Sequence, residues 1–267
     1  MKNPPVSLII TTYNWPDALY LCLKSVLEQK VFPDEVIIAD DGSDFNTKNL
    51  IQSFQKDFPI PLIHVWQEDD GFQLTKIRNK AIKNAQFEYI IQIDGDLILN
   101  KYFISDHLKF AKKNHFLRGC RVLIGKKTSQ RLLESKNINF SIFNSDIKFR
   151  HHGFRNYLFA KIVAKPRLNP HRALGCNMSY WRKDALKVNG YENLLTGWGH
   201  EDEEFAARLV NNNIFKIKVK HHAIVNHLYH KERVQDNAEE HNALIKNVIE
   251  KKIKKAKNGI AELDSSY

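Results

Sequence analysis

The chain has 267 residues, 43% of them hydrophobic, and carries 41 Lys and Arg against 30 Asp and Glu, a net charge of +11. That length and apolar content suit one α/β domain with a short extension, not a disordered or fibrous chain. The apolar runs are no longer than strands, which excludes a transmembrane helix, and Met1-Lys2-Asn3-Pro4-Pro5 lacks the features of a signal peptide, so a cytoplasmic protein is expected.

Residues 6–10 (VSLII) form a short apolar run, as in a strand buried on both faces. Pro16 suits the first turn of a helix, and Ala18, Leu19, Cys22, Val26 and Leu27 follow at helical spacing. Strands are expected at 36–39, 62–66 and 89–93, separated by helical stretches at 50–58 and 75–85. This alternation predicts a mostly parallel, doubly wound sheet flanked by helices. Residues 126–170 are rich in Lys, Asn, Ser and aromatics with weak periodicity, and read as a partly helical insertion. A strand at 173–181, a helix at 182–188, a helix at 201–210 and a strand-like run at 219–225 follow. The last stretch, 239–260, reads as a basic amphipathic helix.

Ligands of such sheets sit beyond the C-terminal strand ends. Thr11-Thr12-Tyr13-Asn14, Asp40-Asp41-Gly42-Ser43, Glu68-Asp69-Asp70-Gly71 and Asp94-Gly95-Asp96 fall at those ends. Two carboxylates two residues apart suit a hard divalent cation bridging to a diphosphate, or else a solvated turn. Asp40-Asp41-Gly42-Ser43 fits a type I turn, or a carboxylate that accepts from a base N–H. Lys76 and Arg78 near a helix start suit phosphate or base oxygens, or a solvated face. In Gly197-Trp198-Gly199-His200-Glu201-Asp202-Glu203-Glu204 the acids suit a helix N-terminus, and also a general base beside a sugar-binding Trp. His221, His222, His227 and His230 cluster without a cysteine partner, so one imidazole joining Asp96 on a metal is a better reading than a His-only site. Cys22, Cys120 and Cys176 form no CxxC pair and read as buried free thiols.

Residues 6–43, with Thr11-Thr12-Tyr13-Asn14 and Asp40-Asp41-Gly42-Ser43, resemble the start of family 2 glycosyltransferases of the GT-A fold. The likeness continues through Asp70-Gly71-Phe72, Arg78-Asn79 and Asp94-Gly95-Asp96. Residues 175–181 and 197–205 resemble the C-terminal region shared by β-1,4-galactosyltransferases and the GalNAc-transferring domain of chondroitin polymerase. The resemblance implies that Thr11 and Asp41 contact a uracil base, that Arg78 meets base or phosphates, and that Asp94 approaches the ribose. It implies that Asp96 and His227 hold Mn²⁺ or Mg²⁺, with His230 as the alternative ligand. Trp198 would line the sugar site, Glu201 would hold a sugar hydroxyl, and Asp202 would be the general base. Galactosyltransferases carry glycine where this chain has His200, which leaves the donor sugar open among galactose, N-acetylgalactosamine and glucose.

The implied enzyme is a metal-dependent inverting transferase that moves a hexose from a UDP-sugar to a glycan or lipid-linked glycan, in cell-surface polysaccharide or lipopolysaccharide synthesis. Its domain would span 1–233, divided into a nucleotide-sugar half (1–125) and an acceptor half (126–233), with a helical extension over 234–267. A nucleotidyltransferase would need a glycine-rich turn after the first strand, which Thr11-Thr12-Tyr13-Asn14 is not. A non-catalytic sugar-binding module would not need the intact Asp94-Gly95-Asp96 and Glu201-Asp202 pairs. The charge calls for a polyanionic neighbour, but no nucleic-acid recognition motif accompanies it. Lys246, Lys251, Lys252, Lys254, Lys255 and Lys257 flank the apolar stripe of the tail. That stripe either packs on the domain or rests peripherally on the inner face of the plasma membrane.

Overall fold

The computed structural model of the chain describes residues 3–197, 199–231 and 238–263. The first half alternates as its periodicity requires: β1 (Val6–Thr12), α1 (Pro16–Leu27), β2 (Glu35–Asp40), α2 (Phe45–Gln55), β3 (Leu62–Trp66), α3 (Leu74–Asn84) and β4 (Tyr89–Asp94). Helix α2 starts five residues before the apolar stretch that suggested it. The Asp44 side chain caps it by accepting from the Asn46 N–H at 3.0 Å. Four elements invisible to periodicity come next: β5 (Leu97–Leu99), α4 (Phe103–Phe110), β6 (His115–Arg118) and β7 (Cys120–Leu123). The 126–170 segment supplies α5 (Lys126–Ser135), α6 (Tyr157–Val163) and the two-residue β8 (Pro166–Arg167).

The remaining elements are β9 (Asn177–Trp181), α7 (Arg182–Lys187), α8 (Glu201–Asn211), β10 (Phe215–Lys218), β11 (Ile224–His227) and α9 (Ala238–Glu250). The strand-like run expected over 219–225 is corrected. Its apolar residues belong to a corner between β10 and β11, where His221 and Ala223 have φ of +57° and +49°, and only 224–225 are strand.

The main sheet has eight strands in the order β3-β2-β1-β4-β9-β6-β10-β8. Only β9 and β8 run antiparallel to their neighbours. Strand β9 enters between β4 and β6, so residues from both sequence halves build one sheet. A second, three-stranded sheet has the order β5-β11-β7. One apolar cluster packs α1 and α4 on one face of the main sheet. Another packs α3 and α8 on the opposite face, through Ile77, Ala81, Phe205 and Leu209. The three cysteines are buried and free. Among the described residues no helix is long and apolar enough to cross a membrane.

The tail differs from the expected continuous helix. α9 stops at Glu250, and Lys252 turns the chain at φ +50°. The chain then folds back on the body. Ala256 N–H donates to Val188 O at 2.9 Å, and Ile260 N–H donates to Asn189 O at 3.1 Å. Ile245, Val248, Ala256 and Ile260 are buried, and Ile260 joins the α3/α8 core. Packing therefore takes up much of the apolar stripe that a membrane anchor would need, leaving Leu244, Ile249 and Ile253 half-buried, and the lysines that flank it face solvent. The expected boundary at 233/234 lies outside the described residues. Truncating Ile260 to Ala is expected to lower the unfolding free energy by about 2–4 kcal/mol in a urea titration. A loss below about 0.5 kcal/mol, as at an exposed position, would show that the segment after α9 does not pack.

Candidate active site

From β1 the chain builds outward to β2 and β3, then crosses to β4 on the far side of β1. The strand order therefore reverses between β1 and β4, where open α/β sheets bind ligands. Register places Thr11 opposite Asp94 at that point. Thr11 Oγ1 donates to Asp94 Oδ1 at 2.8 Å, and Gly95 N–H donates to Thr11 O at 2.7 Å. A Cβ on Gly95 would stand 3.0 Å from that carbonyl oxygen, so glycine serves here for close approach. A cavity of about 290 Å³ opens above, lined by Thr11, Tyr13, Asp41, Phe72, Asp94 and Asp96.

The two readings of Asp40-Asp41 divide between the residues. Asp40 is fully buried, bonded to His64 Nε2 at 2.8 Å and accepting from Ser43 N–H at 2.9 Å, so it builds the turn. Asp41 lines the cleft and accepts from Gln67 Nε2 at 2.6 Å and Gln73 N–H at 3.0 Å. Burial pushes its carboxyl up to about 6, against the pull of those two hydrogen bonds.

Arg78 lies neither on a solvated face nor on the cleft wall. Helix α3 is buried on most of its circumference, and Arg78 is 1% exposed beneath the cleft. Its Nη1 donates to Glu201 Oε1 at 2.8 Å and its Nη2 to Asp94 Oδ1 at 3.1 Å. Its guanidinium carbon lies 5.4 Å from the centroid of the Tyr191 ring. Burial disfavours the cation, but Tyr191, Asp94 and Glu201 more than offset this and hold it above its ordinary pKa. Arg78 thus joins two other expected site residues from opposite halves of the chain.

Glu201 and Asp202 open α8, behind a loop in which Gly197, Gly199 and His200 have φ of +84°, +115° and +70°. His200 thus holds a left-handed conformation at the position where galactosyltransferases carry glycine, at a cost of roughly 1–2 kcal/mol. His241 of α9 ties the loop down, with Nδ1 2.7 Å from Gly199 O. Asp202 is half-buried, and its Oδ2 accepts from Gly175 N–H at 2.8 Å. Burial, and next the charge of Glu201, push the Asp202 carboxyl up to about 6, while Gly175 N–H and Arg78 oppose the rise. A Cβ at Gly175 would lie 3.1 Å from Arg78 Nη2 and 3.3 Å from Asp202 Cβ, so a side chain here would push on both. Trp198 lies outside the described residues.

The metal candidates meet through the second sheet. β5 follows Asp96 directly and pairs Leu97 with His227 of β11, and Leu228 N–H donates to Asp96 O at 3.0 Å. His227 Nε2 and His230 Nε2 each lie 3.4 Å from Asp96 Oδ2. Ligand atoms of all three residues fall within 4.8 Å of one another. Asp96 Oδ1 is buried with no hydrogen-bond partner among the described residues. Burial pushes this carboxyl up, opposed by the two imidazoles. An orphaned carboxylate oxygen beside two imidazoles is a donor set that fits a divalent cation. The single imidazole expected beside Asp96 is therefore joined by a second. The H-x-x-H spacing of His227 and His230 was the available signal.

Sequence reasoning missed two further features. Arg121, Lys148 and His227 line a second cavity of about 580 Å³ that shares Asp94, Asp96 and His230 with the first. Beside Asp202, strand register stacks like charges on one face of the sheet. Arg118 lies opposite Lys218, and Lys216, two residues along the same strand, lies opposite Arg167. Burial, then the Arg118 charge, pull the Lys216 ammonium down to about 8.

The model of glycosyl transferase family 2 matches residues 7–185, and one described as the N-terminal domain of galactosyltransferase matches 158–231. A chondroitin synthase of Escherichia coli is 27% identical over 230 residues, covering 79% of this chain and 33% of that protein. The chain thus spans about a third of that relative's length. A mannosyltransferase from Pyrobaculum calidifontis, solved in complex with GDP-Man and Mn²⁺, shares the fold with a TM-score of 0.60 at 17% identity, over 91% of this chain and 62% of that one. TarS of S. aureus in complex with UDP gives a TM-score of 0.62 at 19% identity, over 90% and 64%. These solved structures confirm the α/β architecture of GT-A glycosyltransferases. The chain belongs to glycosyltransferase family 2, with a galactosyltransferase-like region over residues 158–231 and a distant similarity to bacterial chondroitin synthases.

Proposed function

We propose that this chain transfers a hexose from a UDP-sugar to a hydroxyl of a glycan or lipid-linked glycan, with inversion, in the synthesis of cell-surface polysaccharide or lipopolysaccharide. The observation that carries this reading is the continuous chain Thr11–Asp94–Arg78–Glu201, with Asp202 beside it and Asp96 two residues from Asp94. In this reading the nucleotide-binding, metal-binding and acid–base groups are linked through Arg78.

In this reading Thr11 and Asp41 hold the base, and Asp41 accepts from the uracil imide with a lone pair its two protein donors leave unused. Asp94 accepts from a ribose hydroxyl. Asp96, His227 and His230 hold the cation, and imidazole ligands favour Mn²⁺ over Mg²⁺, which takes oxygen shells. A cation held by these residues would supply charge neutralisation for a departing diphosphate. Arg78 keeps Glu201 oriented toward a sugar hydroxyl. Asp202 takes the proton of the acceptor hydroxyl as it attacks the anomeric carbon from the face opposite the leaving group, so an α-linked donor yields a β-linked product. Gly175 N–H fixes the carboxylate for that task.

The cationic ladder refines the acceptor. Like charges directly opposite across strands are destabilising. Arg118, Lys216, Lys218 and Arg167 share a face beside Asp202 without an ion pair among the described residues. An acceptor bearing a carboxylate or phosphate suits that face.

A panel of UDP-galactose, UDP-N-acetylgalactosamine and UDP-glucose, read as released UDP with and without Mn²⁺, tests the reading, and no release from any of them would overturn it. Asp202→Asn is expected to cut kcat by about 10²–10⁴ with donor affinity unchanged. For the wild type, kcat/KM should fall as pH drops through about 6, because the raised Asp202 carboxyl must be ionised to accept a proton. An acid limb near pH 4 would detach Asp202 from the base role. Calorimetric Mn²⁺ titration should weaken at least about tenfold in either Asp96→Ala or His230→Ala, as for loss of a metal-site group, and wild-type affinity in either variant would remove that ligand. Lys218→Gln should raise KM about fivefold for an anionic acceptor and leave a neutral one unchanged, the ~1 kcal/mol of a half-exposed ion pair.

A further inference from the structure

Segment 143–168 has a surface unlike the rest of the molecule. Phe143, Phe149, Phe154, Leu158, Phe159 and Ile162 all stand among its exposed large apolar side chains. Leu158 and Ile162 are the most open apolar side chains of α6, at 72% and 69%. They lie four residues apart on the outward side of α6, while Ala160 of the same helix is fully buried and Phe159 packs edge-on against His221 at 4.9 Å. The segment is therefore anchored on one side and apolar on the other.

Its charge is equally one-sided. Residues 143–168 carry Lys148, Arg150, Arg155, Lys161, Lys165 and Arg167 against Asp146. Asp146 is turned inward, accepting from Thr128 N–H and Oγ1 at 2.8 and 2.7 Å. Arg155 is paired with Asp106, Arg167 belongs to the ladder on β8, and Lys161 and Lys165 are exposed around the apolar face. The same segment reaches the cleft, since Asp146 and Lys148 line the cavity shared with Asp94 and Asp96.

An exposed apolar patch with a cationic rim has the chemistry of a surface that enters the headgroup layer of an anionic bilayer. We infer that the outward face of residues 143–168, led by Leu158 and Ile162, docks this protein on an anionic lipid surface. Docking there sets the cavity containing Asp146 and Lys148 next to the membrane. The membrane site is thus this insertion and not the C-terminal tail, much of whose apolar stripe is already packed. A neutral protein partner or a second copy of the chain would bury the apolar residues but leave the cationic rim unmatched.

Co-sedimentation with phosphatidylcholine vesicles, with and without phosphatidylglycerol, tests the inference. The wild type should bind only the anionic vesicles and lose that binding as salt is raised. Leu158→Glu with Ile162→Glu should reduce vesicle binding at least about tenfold, while the urea midpoint and turnover on a soluble acceptor stay at wild-type values, since both residues are solvent-exposed. Lys161→Gln with Lys165→Gln should weaken binding and flatten its salt dependence. Failure of the wild type to bind anionic vesicles at low salt would overturn the inference. So would a wild-type dimer that Leu158→Glu dissociates without any vesicle binding. Loss of binding on replacing Lys251, Lys252, Lys254 and Lys255 by Gln, with Leu158→Glu/Ile162→Glu unaffected, would overturn it as well. The readout is binding, so it stands or falls apart from glycosyl transfer.

Discussion

The site depends on one buried cation. Arg78 is 1% exposed, and a charge removed from water is costly unless it is paired and hydrogen-bonded. Its partners come from distant parts of the chain: Asp94 from the end of β4 and Glu201 from the start of α8. Neither carboxylate could take its place without the other segment being folded. The guanidinium therefore couples the end of β4 to the acidic helix, and its planar fork suits two carboxylates at once. The packing around it is correspondingly tight, and a Cβ at Gly175 would press on Arg78 and Asp202 at 3.1–3.3 Å.

The second sheet performs a parallel task for the candidate metal ligands. Asp96 lies on the turn that takes the chain from β4 in the main sheet to β5 in the small one. His227 arrives on β11, paired with β5 on one side and β7 on the other. The two carboxylates of Asp94-Gly95-Asp96 are thereby given different surroundings. Asp94 is held by Thr11 and Arg78, while Asp96 faces two imidazoles. One short motif serves two jobs because a sheet boundary runs through it.

Strong local signals made the first half of the fold legible. Strands 6–10, 36–39, 62–66 and 89–93 are apolar runs bounded by turn residues, and they occupy adjacent places in the sheet. The region after Asp96 was not legible, because Leu97–Leu99 is too short for a period to register and Gly119 splits His115–Arg118 from Cys120–Leu123. The tail misled for a different reason. Val248, Ala256 and Ile260 keep helical spacing and are all buried, yet the backbone between them turns at Lys252. At the site, the residues singled out from sequence come together, but Arg78, expected at base or phosphate oxygens or on a solvated face, is buried by α8 and Tyr191, far away in sequence. The second imidazole, His230, lies on a loop for which no period exists.

Composition reported the charge excess as a single number, but the fold distributes it. Arg118, Lys216, Lys218 and Arg167 crowd one sheet face next to the acids that open α8. The acids there are favoured by the helix N-terminus, and the cations opposite keep the local field from becoming wholly negative. That balance bears on Asp202 in a specific way. Burial and Glu201 raise its pKa, while Arg78 and Gly175 N–H lower it, and the result stays low enough for a carboxylate to be the main species at neutral pH. A further cation group lies around the exposed apolar residues of 143–168. These two places differ physically: the ladder adjoins a carboxylate and a cleft, whereas the outer group surrounds apolar surface. A ligand that satisfies the first must be a compact anion on a soluble or extended molecule. A partner that satisfies the second must supply negative charge and an apolar layer together, and an anionic bilayer meets that requirement.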